Sequence, residues 1–294
     1  MRTPIMLASG TVGYGGELSG LCDFSSVGAI VTKTVTEAPR DGNRPPRLAE
    51  TPGGLLNAIG LENVGIERFL DEKLPAAAAL GAPVVVSVAG DSPAAFARLA
   101  RRVGERPETA AVEINISCPN VERARRPVWD DPDATAAVVA AARAATGKPL
   151  LVKLSPNTAD ALSVAEAAQR AGADALVVAN TLPGMRIDIE TGRPALGNAT
   201  GGLSGRALMP VNLALVWRIA AGVSIPLAGS GGVATAEDAL EYLMAGASAV
   251  QVGTALFLDP DAATTIAEGL RRRMAHDGVR SVAEYKGMAG RMST

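Results

Sequence analysis

The sequence predicts an α/β fold, a single-domain (β/α)8 TIM barrel with long loops at its C-terminal face, which takes in residues 1–294 as one domain. Two observations carry this prediction. Eight short runs rich in β-branched residues recur along the chain, and a stretch with helical periodicity follows each of them. The runs are Pro4–Ser9, Ala29–Thr34, Pro83–Ala89, Ala111–Ser117, Leu150–Ser155, Ala175–Thr181, Ile225–Ser230 and Ala249–Thr254.

Most of these runs are apolar at nearly every residue, which is typical of parallel strands buried on both faces. Such strands need crossover connections, and helix start signals lie between them. Ser92-Pro93 and Asp131-Pro132 each place a capping side chain before a proline at the first helical position. Thr235, with Asp238 three residues later, resembles a capping box. Eight strand–helix units indicate a closed barrel, with a doubly wound open sheet as the alternative.

Two segments are longer than ordinary loops: Glu37–Asn63, rich in Pro and Gly, and Leu182–Met209, in which Thr191-Gly192 predicts a hairpin. Long loops in a compact domain usually serve function or an interface, so we expect both at the functional face. A shorter segment, Leu18–Phe24, has a helical pattern and contains Cys22.

Composition excludes several classes of function. The 28 basic and 30 acidic residues give a net charge of -2, so no broad positive field exists for nucleic acid. Cys22 and Cys118 cannot build a disulfide framework, and His276 is the only histidine, which argues against a metal site. No signal peptide pattern opens the chain and no apolar run reaches about 18 residues, so a cytoplasmic protein without a membrane partner is predicted.

Polar residues cluster where the predicted strands end, at the face on which barrel enzymes build their sites. A charged or amide side chain there is costly to desolvate unless it meets a partner, so a polar ligand is expected. The residues concerned are Ser9, Lys33, Asn115, Ser117, Lys153, Asn180 and Thr181.

Glycines mark a second feature, because Gly231-Gly232 follows the seventh strand and Gly253-Thr254 ends the eighth. Loops after these two strands often bind phosphate through backbone N–H groups. The plainer interpretation is a tight turn that needs glycine.

Lys153 and Cys118 are the candidates for chemistry. Lys153 could carry a Schiff base, stabilise negative charge on a reduced flavin, or simply extend into solvent. Cys118 directly follows a buried strand, lies among polar amides, and could act as a base or nucleophile. Cys22 has the features of an ordinary buried cysteine.

These motifs together resemble the class 1 dihydroorotate dehydrogenases, and among them the class 1B catalytic subunit. The resemblance covers nearly the whole chain. It is most specific in the run Asn115 to Asn120 (NISCPN) combined with Asn57 to Leu61 (NAIGL), and the stretch from Ala179 to Gly205 points to class 1B.

The resemblance implies FMN as cofactor and dihydroorotate as substrate, with orotate as product. The residues implied to hold the FMN are Ser9, Lys33, Thr34, Ser87, Asn115, Lys153, Ala179, Gly205, Gly231, Gly232, Gly253 and Thr254. Those implied to bind the substrate are Lys33, Asn57, Ile59, Gly60, Leu61, Asn115, Asn120, Asn180 and Thr181. Amides suit this ligand because they offer donors and acceptors to an imide ring.

The resemblance also implies a mechanism and partners. Cys118 would take the proton from C5 of dihydroorotate as hydride leaves C6 for the flavin, and Lys153 would offset the charge that develops on the flavin. A homodimer is expected, together with a separate subunit carrying FAD and an iron–sulfur cluster, because the chain lacks the cysteines to ligate one.

Three departures from the family pattern bear on the site. The chain begins almost directly in the first strand, whereas relatives usually carry a preceding hairpin. Ser87 stands where relatives commonly have asparagine near the flavin. The basic residues Arg123, Arg125 and Arg126 follow Cys118. The alternatives are oxidation of another dihydropyrimidine such as dihydrouracil, a Schiff-base aldolase using Lys153, and a flavin-binding protein without activity.

Overall fold

A computed structural model of the protein describes residues 1–117 and 127–291. Its parallel barrel strands and its shorter antiparallel strands are numbered together in chain order. They are β1 (Ile5–Leu7), β2 (Ala29–Val31), β3 (Leu48–Thr51), β4 (Gly54–Asn57), β5 (Val84–Val88), β6 (Thr109–Asn115), β7 (Leu150–Lys153), β8 (Ala175–Val178), β9 (Leu182–Met185), β10 (Ile187–Asp188), β11 (Arg193–Pro194), β12 (Thr200–Ser204), β13 (Leu227–Ser230) and β14 (Ala249–Val252).

Eight of these strands close into a parallel barrel in the order β1-β14-β13-β8-β7-β6-β5-β2. Each of the eight predicted runs overlaps one barrel strand, and seven contain theirs in full, so the barrel is confirmed; β6 begins two residues before its predicted run. The open-sheet alternative is wrong, because β1 pairs with β14 as well as with β2 and the barrel has no free edge. The strands stop one to three residues before most predicted ends, and the polar residues follow them.

Helices cover the outside of the barrel. They are α1 (Gly65–Arg68), α2 (Leu74–Ala78), α3 (Pro93–Gly104), α4 (Pro132–Ala145), α5 (Ala161–Arg170), α6 (Met209–Ala220), α7 (Ala236–Met244), α8 (Ala262–Asp277) and α9 (Met288–Arg291), with a π-helical segment, Phe69–Lys73, between α1 and α2. The predicted caps are confirmed: Ser92 accepts from Ala95 N, Asp131 caps α4, and Thr235 with Asp238 forms a capping box.

The two long segments meet in a second sheet that the sequence did not predict. It is antiparallel, with the order β3-β4-β12-β9, and it joins Glu37–Asn63 to Leu182–Met209 at the mouth of the barrel. The hairpin predicted around Thr191-Gly192 is confirmed as the pair β10 and β11. The sheet therefore fixes two loops that would otherwise be long and unsupported.

The helix predicted for Leu18–Phe24 is wrong. The chain forms two 3-10 turns there, Gly16–Leu18 and Phe24–Ser26, and Asp23 caps the second by accepting from Ser25 N. Cys22 lies between them and is half-buried. Burial, followed by the charges of Asp261 and Asp23, raises the pKa of the Cys22 thiol to about 11.

The interior of the barrel begins with an apolar layer. Residues from the barrel strands form a hydrophobic cluster separate from the main core, which packs helices on strands. The members are Met6, Ala29, Val31, Val85, Ala111, Val177, Ala228 and Ala249, with Leu151 packed against them. Small side chains fill a narrow barrel, and this layer closes the interior below the functional face.

Among the residues described, no helix has both the length and the apolar character needed to cross a bilayer.

Replacing Thr235 by Ala should destabilise the protein by about 1 kcal/mol, because Asp238 N loses the hydroxyl that accepts its hydrogen bond at 3.2 Å. Thr235→Ser keeps that oxygen and is the matched control. Urea unfolding of the two variants measures the difference, and equal free energies of unfolding would show that the cap is not a source of stability.

Candidate active site

A polar layer lies directly above the apolar layer inside the barrel. Side chains alternate along a strand, so residues two positions beyond the apolar layer share its inward face and lie nearer the mouth. Those residues are Ala8, Lys33, Ser87, Glu113, Lys153, Ala179, Ser230 and Gln251. Four of the eight, Lys33, Ser87, Lys153 and Ala179, were predicted as site residues.

Ser87 and Glu113 hydrogen-bond inside this layer. Both residues are 0% exposed, and the Ser87 hydroxyl donates to Glu113 Oε1 at 3.0 Å. Glu113 Oε2 accepts from Gln251 Nε2 at 3.2 Å. The departure of Ser87 from the family's asparagine thus has a structural counterpart, because its hydroxyl is engaged by Glu113 and by Thr34.

Thr34 extends the hydrogen bonding toward the mouth. Its Oγ1 lies 3.0 Å from Ser87 Oγ and accepts from Asn115 Nδ2 at 3.0 Å. Ser9 Oγ lies 3.4 Å from Thr34 Oγ1 but donates to the Thr32 carbonyl at 2.8 Å. Ser9, Thr34, Ser87 and Asn115, all predicted as cofactor-binding residues, therefore meet in one place.

Asn115 and Asn180 are joined through a serine hydroxyl. Ser117 Oγ donates to Asn115 Oδ1 at 2.7 Å and accepts from Asn180 Nδ2. Each amide uses one donor hydrogen here, and each retains a second. The two amides remain able to bind a ligand that offers both donors and acceptors.

Lys153 is buried, with 6% of its surface exposed, and its amine pairs with no described residue. It lies on β7 directly opposite Asn115 of β6. A buried ammonium group is costly without a partner. The residue thus fits a site completed by a bound ligand with electron-rich atoms.

The turn through Ile59, Gly60 and Leu61 has an unusual backbone. Gly60 has a φ of 73° and Leu61 a φ of 55°, which is the left-handed region that a side chain such as leucine rarely adopts. A Cβ on Gly60 would lie 2.7 Å from Asn43 N and 2.6 Å from its side chain. Strained backbone of this kind clusters at ligand sites.

Asn63 and Asn43 hold this turn in place. Asn63 is buried and donates through Nδ2 to Leu61 O at 2.8 Å and to Thr36 Oγ1 at 2.8 Å. Asn43 N donates to Ile59 O at 3.0 Å and its Nδ2 to Ala58 O at 3.1 Å. The turn is therefore fixed to the segment that follows β2.

Lys33 reaches the same turn. Its Nζ lies 3.9 Å from Glu62 Oε2, and Arg47 Nη1 donates to that oxygen at 2.6 Å. Two cations thus surround one carboxylate, which leaves a positive charge beside Leu61. That charge suits an anionic ligand.

Asn57 and Thr181 meet across the antiparallel sheet at Gly202. Asn57 Nδ2 donates to Gly202 O at 3.2 Å. A Cβ on Gly202 would lie 2.2 Å from Thr181 Oγ1, so only glycine permits this approach. Both residues were predicted to bind substrate, and the sheet places them side by side.

The predicted phosphate site is lined by backbone. Gly231 and Gly232 have φ values of 120° and 78°, and a Cβ on Gly232 would lie 2.5 Å from Met209 Cβ and 3.0 Å from Gly205 O. Thr254 Oγ1 donates to Ser204 Oγ at 2.9 Å, which joins the end of the eighth strand to the same place. Gly253 packs against Ala8.

Tyr242 and Asn212 support this region from beneath. Burial raises the pKa of the Tyr242 phenol, which donates to Gly231 O at 2.8 Å. Asn212 is fully buried and donates through Nδ2 to Ser230 O at 2.7 Å and to Ala179 O at 3.3 Å. The residues present fit a phosphate-bearing cofactor, because neighbouring atoms exclude a side chain at Gly231 and Gly232, so backbone lines the site there.

Two predicted residues, Cys118 and Asn120, lie outside the described residues, as do Arg123, Arg125 and Arg126. Sequence reasoning missed Asn63, Glu113 and Asn212. A charged residue within the apolar run Val112-Glu113-Ile114 was the one available signal for Glu113.

The sequence of the chain matches one family model and is about half identical to several named proteins. Residues 1–274 match the family model described as dihydroorotate dehydrogenase. A protein of Trichlorobacter lovleyi named dihydroorotate dehydrogenase B (NAD(+)), catalytic subunit, is 51% identical, with 98% of this chain and 94% of the relative covered. The protein of the same name from Pelobacter propionicus is 50% identical over the same shares.

A crystal structure of DHODH in complex with ferulenol from Eimeria tenella superposes with a TM-score of 0.80 at 23% identity. The superposition covers 98% of this chain and 85% of the Eimeria tenella chain. At this identity the likeness supports the barrel fold.

Gly60→Ala should destabilise the protein by more than Gly192→Ala, its matched control. Both glycines have positive φ, 73° and 66°, so each variant carries left-handed strain of about 1 kcal/mol. A Cβ at Gly192 meets nothing within 4 Å, whereas one at Gly60 meets Asn43. Urea unfolding measures the free energy of unfolding of both variants. An equal loss in the two would show that Asn43 moves aside for the new methyl group without a loss of stability.

Proposed function

The chain belongs to the dihydroorotate dehydrogenase family, and from that premise we propose that it oxidises (S)-dihydroorotate to orotate in pyrimidine biosynthesis, with FMN as cofactor. The family is flavin-dependent. The single observation that best supports the proposal in this chain is the pair of amides near the barrel mouth, Asn115 and Asn180, which are joined through the Ser117 hydroxyl. The Lys33 cation, 3.9 Å from Glu62 Oε2, adds a positive charge next to the turn at Gly60 and Leu61.

The substrate's two ends call for different residues. Its carboxylate would bind Lys33 and the backbone of Ile59, Gly60 and Leu61, where a positive charge remains after Glu62 is paired with Arg47. Its imide ring would bind the amides of Asn57, Asn115, Asn120 and Asn180 with the Thr181 hydroxyl. Matching donors and acceptors orients the ring, which charge alone would not do.

FMN would lie between two kinds of surface. Its phosphate would bind the backbone at Gly205, Gly231, Gly232, Gly253 and the Thr254 end of the last strand, because glycines allow close approach to N–H groups. Its ring would lie over Ser9, Thr34, Ala179 and the polar layer that includes Ser87. When bound, the flavin supplies the hydride acceptor that the amino-acid side chains lack.

Lys153 and Cys118 have separate parts in this proposal. The Lys153 ammonium is buried without a partner among described residues, so it is available to stabilise negative charge on the ring system. Cys118, outside the described residues, would take the C5 proton of the substrate. An unperturbed thiol has a pKa of about 8.5, so the rate should rise into mild alkali.

Family membership disfavours the alternatives. The relatives are named as dihydroorotate dehydrogenases, and neither a Schiff-base aldolase nor an inactive flavin-binding protein agrees with that name. Dihydrouracil lacks the carboxylate for which Lys33 and the Gly60 turn are suited.

The relatives' name, a catalytic subunit of an NAD(+) enzyme, supports a partner subunit. We propose that this chain works with a subunit carrying FAD and an iron–sulfur cluster. We further propose that residues 1–294 form one barrel domain and that the chain forms a homodimer.

Anaerobic titration of the purified protein with dihydroorotate should bleach the absorbance of its bound flavin stoichiometrically. Dihydrouracil should fail to do so at the same concentration, because no group on it binds Lys33. Absorbance spectroscopy measures both. Bleaching by dihydrouracil alone would overturn the substrate assignment.

Cys118→Ala should leave the flavin bound and slow its reduction by dihydroorotate at least about a hundredfold, the ordinary size of a general-base effect. Cys22→Ser is the control, because Cys22 lies between two 3-10 turns away from the polar layer. Stopped-flow absorbance measures the rate, and an unchanged rate in Cys118→Ala would exclude its role as base.

The isolated chain should reduce NAD+ poorly even when dihydroorotate reduces its flavin, because the route to NAD+ requires the partner subunit. The absorbance of the NADH that forms is the measurement. Efficient NAD+ reduction by this chain alone would remove the need for a partner.

A further inference from the structure

Glu62 is a charged residue at the candidate active site that the proposed chemistry does not use. It directly follows Leu61 in the chain, and Lys33 Nζ lies 3.9 Å from its Oε2. The proposed substrate brings a carboxylate of its own to Lys33. A second negative group beside that cation opposes the binding of such a ligand, so its presence calls for an explanation.

The carboxyl group of Glu62 carries a negative charge at neutral pH. Its side chain is 46% exposed, so water solvates the charge. Arg47 Nη1 donates to Oε2 at 2.6 Å, and Lys33 lies on the other side of the same oxygen's surroundings within ion-pair distance. A half-exposed carboxylate with two cations close to it is ionised.

Arg47 holds this carboxylate in place. The nitrogens of its guanidinium all donate: Nε to Asn43 O at 2.6 Å, Nη1 to Glu62 Oε2 at 2.6 Å and Nη2 to Asp41 O at 2.8 Å. Two backbone carbonyls thus anchor the cation that binds Glu62. The carboxylate therefore cannot turn away from Lys33 when a ligand arrives unless it breaks its bond to Arg47.

The backbone on either side is packed together as well. Asn43 N donates to Ile59 O at 3.0 Å, in the turn whose backbone is proposed to bind the carboxylate of the substrate. A Cβ on Gly42 would lie 2.4 Å from Ile59 O and 2.9 Å from Glu62 Cβ. The segment that anchors Arg47 thus packs directly on the turn that would receive the ligand.

The carboxylates of Glu62 and of the ligand would lie close to each other. A ligand oxygen that accepts a hydrogen bond from Lys33 lies about 3 Å from Nζ. Because Glu62 Oε2 lies 3.9 Å from the same nitrogen, the two oxygens are at most about 7 Å apart while the lysine keeps its place. At an effective dielectric constant of about 40 to 80, repulsion over that distance weakens binding about three- to sevenfold.

We propose that Glu62 is a positioning residue that acts through Lys33: its fixed carboxylate shares the Lys33 cation with the carboxylate of the ligand, and so limits how tightly dihydroorotate and orotate bind. This inference rests on the proposed function. Substrate and product both carry the carboxylate, so binding energy from Lys33 stabilises both and does not accelerate the chemical step. A limit on that energy favours the release of orotate.

The test compares two ligands that differ in charge at one group. Orotate carries the carboxylate, whereas orotamide, in which an amide replaces it, has nearly the same shape without the charge. Titration calorimetry of the FMN-loaded protein measures the affinity for each ligand at about 10 mM salt, where the Debye length is about 30 Å, and at about 1 M salt, where it is about 3 Å. Thermal unfolding measures the stability of each variant alongside.

Glu62→Gln removes the charge and keeps an oxygen that can accept from Arg47. We expect orotate to bind this variant about three- to sevenfold more tightly than the wild type at low salt, because Lys33 then serves the ligand alone. The affinity for orotamide should stay within about twofold of the wild-type value, because that ligand has no charge for Glu62 to repel. The gain for orotate should disappear at about 1 M salt.

Glu166→Gln is the matched control. Glu166 also pairs with an arginine, Arg170 of the same helix α5, at 3.4 Å, and its side chain is 38% exposed. The variant changes the net charge of the protein by the same amount on the outside of the barrel. It should keep the wild-type affinity for both ligands.

The outcomes separate the two proposals. Wild-type protein that binds neither ligand contradicts the proposed function. Wild-type binding of orotate combined with an unchanged or lower affinity in Glu62→Gln overturns the role of Glu62. An equal change for orotate and orotamide overturns it too, since that indicates a shift of the turn, and so does a gain that persists at about 1 M salt. An equal gain in Glu166→Gln also overturns it, since net charge alone would then explain the effect.

Discussion

Side-chain alternation in a closed parallel barrel is the constraint on which the rest of this structure depends. Pairing of β1 with both β2 and β14 leaves no strand edge, so every second residue of each strand faces an interior that opens only at the mouth. The first interior layer is apolar. Polar groups in the next layer must therefore bind one another or a ligand, and this requirement produces the hydrogen bonds from Glu113 to Asn180.

The barrel was predictable because its strands carry their signal locally. Strands buried on both faces are apolar at nearly every residue, and capping residues such as Ser92 and Asp131 mark the helices between them. The antiparallel sheet was not predictable in this way. Its strands are short and half-exposed, and β4 pairs with β12 far along the chain. The pattern in Leu18–Phe24 misled because local periodicity does not distinguish a helix from two 3-10 turns.

The site shows the same division between local and distant information. Residues such as Lys33, Asn115 and Lys153 end parallel strands, and the carboxyl ends of such strands meet at one face, so their convergence follows from the sequence. Their partners do not. Ser87 meets Glu113 across 26 residues and Gln251 meets Glu113 across 138, pairings that depend on barrel register. Asn63 and Asn212 were missed for this reason, since each binds backbone groups that only the folded chain brings near.

The proposed site combines a backbone-lined part with a part lined by side-chain amides, and this division has a physical reason. At Gly205 and Gly232 neighbouring atoms exclude a side chain, so backbone lines this place, which suits the phosphate of the proposed cofactor. A planar ring with alternating donors and acceptors needs side-chain amides whose orientation is fixed. Asn180 Oδ1 accepts from Thr181 N at 2.9 Å, its Nδ2 donates to the Ser117 hydroxyl, and that hydroxyl donates to Asn115 Oδ1. A different group of residues carries the charge near the mouth. Arg47 Nη1 lies 2.6 Å from Glu62 Oε2, whereas Lys33 Nζ lies 3.9 Å from that oxygen, so the Lys33 cation stays available to an anionic group. In the proposed site, the cation for a carboxylate and the amides for a ring therefore lie on different parts of the chain, and we expect that a substitution can weaken one without the other.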